Sequence, residues 1–132
     1  LLAHVLFFEN SESTHIDGEI RYLPRLSDRS AQLRLLVDEL ILGPRIRENR
    51  STLPKATKIR SLMIRDDKLY LDLSAEALLD ESDRSLLGPH RLHALAATLQ
   101  FNFPWLNYLH LLVDGQEPLY DPPRRGWRNP CC

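Results

Sequence analysis

The stretch KIRSLMIRDDKLYLDLS, residues Lys58 to Ser74, decides the fold. Leu69, Leu71 and Leu73 alternate with Lys68, Tyr70 and Asp72, the two-residue period of a strand with one buried face. The run before it places Leu62 and Ile64 on one face and Ile59, Ser61 and Met63 on the other. Between the runs stand Asp66 and Asp67, whose short polar side chains bond nearby backbone and tolerate positive φ. The stretch is therefore expected to form a β-hairpin turning at Asp66-Asp67, with Asp72 on its solvent face. A lone two-stranded hairpin is marginal in water, so its leucine face needs a cover.

Two segments supply that cover. Leu33, Leu36, Val37, Leu40 and Ile41 recur at the spacing of one helical stripe. Ser27 and Asp28 are N-cap types ahead of this helix, and Gly43-Pro44 ends it. A second stripe, Leu92, Leu95, Ala96, Leu99 and Phe103, starts behind Pro89 and stops at Phe103-Pro104. Strands flank these helices. His4 to Phe8 (HVLFF) is a short apolar run expected to be buried on both faces. Asp17-Gly18 signals a hairpin turn, and Glu19 to Leu23 then alternates, with Ile20 and Tyr22 on one face, until Pro24. Ala75 to Leu79 has the look of a short helical turn. Tyr108 to Val113 closes the set, with Leu109, Leu111 and Val113 on one face before an Asp114-Gly115 turn. The expected fold class is α+β, in the order β–β–α–β–β–α–β, with two helices packed on one face of a mixed sheet and an extra strand or hairpin before the first helix.

A length of 132 residues suits one domain with its own core. Residues 3–120 are expected to form it, leaving 121–132, DPPRRGWRNPCC from Asp121 on, as a Pro/Arg-rich tail that ends in the only cysteines, Cys131 and Cys132. Adjacent cysteines without further ligands at zinc spacing make no metal site. The net charge of −1 carries no global bias toward nucleic acid or membranes. The chain opens at Leu1 rather than methionine, which fits a mature or cut chain that a signal peptide or anchor could have preceded.

Catalytic patterns are weak. His90 and His93 lie three apart without the HExxH arrangement. His4 and His110 sit in strands that could be neighbours in one sheet. Ser13, Thr14 and His15 combine nucleophile and base types, but adjacency in sequence carries no triad geometry. Asp66, Asp67 and Asp114 have turn roles, and no calcium-loop spacing or glycine-rich phosphate loop occurs among five scattered glycines. Enzyme, cofactor and metal are therefore not expected. RNA-binding sheets need an aromatic signature that Tyr22 and Tyr70 do not complete, so nucleic acid is not expected either. The sharpest local feature is basic: Arg45, Arg47, Arg50, Lys55, Lys58 and Arg60 face Glu48 alone between positions 45 and 60. They are the candidate partner-binding residues, suited to an acidic surface. The acidic run Asp80, Glu81 and Asp83 makes head-to-tail association conceivable.

Taken in order, LILGP (Leu40–Pro44), LPKATKI (Leu53–Ile59), LYLDLS (Leu69–Ser74) and LHLLVDGQEP (Leu109–Pro118) resemble the GerMN domain. This is a module of bacterial sporulation and spore-germination lipoproteins. HVLFF fits the opening strand of that family. The chain departs from the pattern at Thr98-Leu99-Gln100-Phe101 and in its more basic loop. The resemblance implies a β–α–β–β–α–β core like that of ring-building motifs, and structural roles for Gly43, Pro44, Leu73 and Gly115. It implies a non-catalytic, extracytoplasmic interaction or assembly module of the cell envelope, partnered by another protein or by itself. Any membrane attachment would come through an anchor outside this chain. The alternative is a module that binds a small ligand or cell-wall fragment on the open sheet face, around Tyr22, Tyr70 or Tyr108.

Overall fold

A computed structural model describes residues 1–12, 15–79, 86–87 and 89–120. The chain runs β1 (Leu2–Glu9), β2 (Ile16–Leu23), α1 (Arg29–Leu42), β3 (Ile59–Arg65), β4 (Lys68–Leu73), a 3₁₀ turn (Ala75–Leu78), β5 (Leu86–Leu87), α2 (Pro89–Asn102), β6 (Tyr108–Val113) and β7 (Leu119–Tyr120). This is a mixed α+β fold. Strands β1 and β2 form an antiparallel sheet of their own, while β3, β4 and β6 form a mixed sheet with β4 in the centre. Within it β3 runs antiparallel and β6 parallel to β4. A short parallel pairing joins β5 to β7. The segments with Ser13 and Thr14, Asp80, Glu81 and Asp83, and the tail with Cys131 and Cys132 lie outside the described residues.

The hairpin forms as its pattern requires. Asp66 takes φ 56° at the turn, and Leu69, Leu71 and Leu73 are fully buried. One register detail differs from plain alternation. Ile59 pairs with Leu73 but Ser61 with Asp72, so Arg60 is an extra residue in the ladder. That bulge turns Ile59 to the core side with Leu62 and Ile64, where uninterrupted alternation would place it opposite them. Asp72 also departs from expectation. It lies on the outer face, yet only 9% of it is exposed, because its carboxylate accepts a hydrogen bond from the Gly115 N–H at 3.0 Å and lies 3.5 Å from Arg60. The Asp114-Gly115 turn, with φ 53° and 77°, folds over it.

Both helical stripes are buried in one core with the leucine face of this sheet. Leu33, Leu36, Val37, Leu40 and Ile41 of α1 and Leu92, Leu95, Leu99 and Phe103 around α2 join Leu109, Leu111 and Val113 in one cluster. Asp28 is the N-cap of α1, accepting from Ala31 N–H at 3.2 Å. Gly43, at φ 96°, ends that helix in a conformation that favours glycine. The Gln32 side chain spans the approach to α1, accepting from Leu26 N–H and donating to the Pro24 carbonyl.

The first hairpin turns elsewhere than at Asp17-Gly18. Strand β2 begins at Ile16, the turn occupies the residues after Glu9, and Gly18 pairs with Phe7 inside the ladder. A Cβ on Gly18 would meet Val5 Cγ1 at 2.9 Å, so glycine serves close packing here rather than chain reversal. Strand β1 is buried on one face only, through His4, Leu6 and Phe8; its other side is half-buried. The edge of β1 away from β2 is capped by side chains of α2. Phe7 N–H donates to Thr98 Oγ1 at 2.9 Å, Val5 N–H to Asn102 Oδ1 at 3.0 Å, and Asn102 returns a bond to the Val5 carbonyl at 2.7 Å. This closes a strand edge that would otherwise be open to pairing. Replacing Thr98 with Val keeps the shape but strands the Phe7 N–H, and should lower the unfolding free energy by about 1–3 kcal/mol in urea titrations, whereas Thr98→Ser should stay near wild type.

Candidate partner-binding surface

Strand β2 presents its residues contrary to simple hydropathy. Ile20 and Tyr22 are 61% and 66% exposed, while Glu19 and Arg21 on the opposite face are 6% and 3% exposed. Charges this deep need partners on every polar atom, and the chain supplies most of them from the loop after α1 and from that helix's end. The Glu19 carboxylate accepts from Arg45 N–H at 2.9 Å, Ile46 N–H at 3.2 Å, Asn49 Nδ2 at 2.9 Å and Arg21 at 3.1 Å. Burial pushes its carboxyl up, but the bonds from Arg45, Asn49, Ile46 and Arg21 together outweigh burial and hold it below the usual glutamate value. Arg21 extends the network to the C-terminal end of α1, donating to the Gly43 carbonyl at 2.6 Å and the Glu39 carbonyl at 3.2 Å. A cation is favourable at that end of a helix. Its guanidinium also lies 5.7 Å from the centre of the Phe8 ring.

This network sets the start of the basic loop. Further bonds run from Ser11 N–H to the Glu48 carbonyl and from Arg50 N–H to the Glu9 carbonyl at 2.8 Å, beside a bridge between Asn10 and Asn49. The loop therefore lies fastened along the tip of the first hairpin. All six basic side chains, Arg45, Arg47, Arg50, Lys55, Lys58 and Arg60, are exposed, but they do not share one environment. Arg50 lies 3.7 Å from the Glu9 carboxylate, and Arg60 is drawn to Asp72 and Asp114 at 3.5 and 3.1 Å. The other four have no ion-pair partner among the described residues.

The outward face of the same hairpin is apolar. Val5 stands opposite Ile20, Ala3 opposite Tyr22, and Phe7 opposite Gly18. Phe101 of α2, 58% exposed, meets the Phe7 ring edge-on at 5.5 Å. Large apolar side chains clustered in this way mark contact surfaces more often than isolated ones do.

The described histidine side chains do not converge, and that of His90 lies outside the described residues. His4 is buried beside Phe103, with ring centres 6.3 Å apart, whereas His110 lies on the other sheet, 3.2 Å from Glu117; the two are not sheet neighbours. His93 and His15 are exposed. No group of three or more His, Cys, Asp or Glu that could hold a metal occurs among the described residues. No described helix is long and apolar enough to cross a membrane. Glu19, Arg21 and Asn49 belong to no sequence motif. The only signal for them was that Glu19 and Arg21 share one face of an alternating segment.

Comparison with known proteins follows the same fold. A family model described as Germane, sporulation and spore germination, matches residues 5–119. The tandem GerMN domains of the sporulation protein GerM from Bacillus subtilis superpose with a TM-score of 0.71 at 16% identity, over 94% of this chain and 42% of that one. This chain thus spans less than half the length of that relative. The first GerMN domain of the same protein gives 0.71 at 16% identity, over 95% and 98% of the two chains. A candidate lipoprotein from Clostridium perfringens gives 0.54 at 28% identity, over 87% and 76%. None of the curated proteins compared with the sequence matches it.

Because Glu19 titrates lower in the folded chain, its contribution to stability is full above about pH 4.5 and is lost as pH falls through the lowered native value. Glu19→Gln should cost about 2–4 kcal/mol at neutral pH. In denaturant titrations against pH, the gap between variant and wild type should be widest above pH 4.5 and narrow below it.

Proposed function

The chain belongs to the Germane family of sporulation and spore germination domains, and from that membership we propose that it serves as a non-catalytic, extracytoplasmic interaction and assembly module of a bacterial cell envelope. The observation that carries this reading is the apolar outward face of the first hairpin, with Ile20, Tyr22 and Phe101 each more than half exposed. A protein partner packing there removes that surface from water at about 25 cal/mol per Å². The basic loop is bound to the same hairpin, so Arg45, Arg47, Lys55 and Lys58 stand where they can steer an acidic partner surface toward it. Charges at such a rim act mainly on encounter rate and orientation. The likeness to a candidate lipoprotein supports a place at the envelope, with attachment through a segment outside this chain. The glutamate and arginine that a catalytic reading would look to first, Glu19 and Arg21, are engaged in holding the loop.

A photo-crosslinking residue placed at Ile20 in the native host should yield a discrete protein adduct, and the same residue at Arg34, on the exposed side of α1, should not. Tyr22→Glu should abolish the adduct. The triple variant Arg45→Glu, Arg47→Glu, Lys55→Glu should slow its formation by roughly tenfold at low salt and less at high salt. Equal labelling at both positions would sink the reading.

A further inference from the structure

The outer face of the three-stranded sheet carries a second arrangement, separate from the hairpin. In the parallel ladder Lys68 stands opposite Tyr108 and Tyr70 opposite His110. On the other side of β4, Arg65 stands opposite Lys68 and Met63 opposite Tyr70. Paired positions point to the same face, so these six side chains form two rows across the sheet. Together Lys68, Tyr70, Tyr108, Leu109 and His110 line a shallow depression of about 300 Å³, at the lower end of the range for small-ligand sites.

The floor of the depression is aromatic. The Tyr70 and His110 rings lie 5.5 Å apart and 33° from parallel. Lys68 Nζ sits 5.5 Å from the centre of the Tyr108 ring, close enough for a weak cation–π attraction. Charge is sorted along the face. At one end Asp72 and Asp114 share Arg60, and Glu117 lies 3.2 Å from His110. At the other end Arg65 and Lys68 have no carboxylate partner among the described residues. The face is therefore polarised, acidic at one end and carrying two cations without a carboxylate partner at the other edge of an aromatic floor.

We propose that this face binds a carboxylate-bearing sugar ring, as found in acidic glycans. The apolar side of the ring would lie on Tyr70 and Tyr108, its hydroxyls would meet the Tyr and His polar atoms, and its carboxylate would pair with Lys68 and Arg65. A nucleic acid is a poorer match, since its evenly spaced phosphates would run from the two cations onto Asp72, Asp114 and Glu117. An extended acidic peptide is the competing occupant. This site goes beyond the assembly reading and lies on a different sheet, so either can fail while the other stands.

The test is an NMR titration of the full chain with two probes that differ by one lactyl carboxylate, N-acetylmuramic acid and N-acetylglucosamine. The acidic sugar should shift the amide signals of Lys68 to Leu71 and Tyr108 to His110 saturably, with a dissociation constant of about 1 mM, and the neutral sugar should bind about tenfold more weakly. Lys68→Gln, an exposed substitution, should remove most of that discrimination while weak binding of both sugars persists. Tyr108→Thr should weaken both, with signals elsewhere in the spectrum reporting an intact fold. The proposal is overturned by the absence of shifts on this face up to about 50 mM sugar, by equal affinity for the two probes, or by discrimination that survives Lys68→Gln. Tighter binding of triglutamate than of the acidic sugar would also overturn it and assign the face to a protein segment.

Discussion

Burying the Glu19 carboxylate is the constraint on which the surface of this domain depends. A charge at 6% exposure must be met by donors, and only nearby loop and helix-end groups can reach it. Meeting it brings the backbone of Arg45 and Ile46 and the side chain of Asn49 under β2. Arg21 then balances the charge and joins the hairpin to the terminal carbonyls of α1. Ordering a loop costs conformational entropy. Here that cost is offset by bonds that the buried carboxylate needs in any case.

The same choice fixes what faces outward. With Glu19 and Arg21 inside, Ile20 and Tyr22 must point to solvent, because side chains in a strand alternate. The hairpin therefore gains an apolar outer surface next to an ordered basic loop. The three-stranded sheet obeys the same rule with different residues. Its leucines and Val113 complete the core, leaving Lys68, Tyr70, Tyr108 and His110 on the outer side. Since β1–β2 and β3–β4–β6 are separate sheets, the two outer faces are chemically distinct and can serve different ligands. The far edge of β1 is closed by Thr98 and Asn102, which leaves broad faces rather than that edge for recognition.

The regular parts were legible because their signals are local and repeated. Five apolar residues at helical spacing, an aspartate N-cap and a terminal glycine specify α1 without outside help. The Asp66-Asp67 turn and the Asp114-Gly115 turn follow from side chains that accept positive φ. The misreadings share a cause as well. Asp17-Gly18 has the composition of a turn, but Gly18 is required by the closeness of Val5 across the ladder. Strict alternation misplaces Ile59, which a bulge at Arg60 turns inward, and puts Asp72 on the outer face without showing the turn that covers it there.

The sequence by itself determined the α+β class, the two amphipathic helices, the central hairpin and the basic character of the loop, because periodicity and turn chemistry act over a few residues. Only the tertiary structure decided that the first hairpin forms its own sheet, that Glu19 and Arg21 lie inside, and that Arg50 and Arg60 are matched by acids while their neighbours are not. The physical reason is reach. Glu19 meets Asn49 thirty positions away, and Asp72 meets Gly115 forty-three positions away. No local pattern states which partner will satisfy a buried charge.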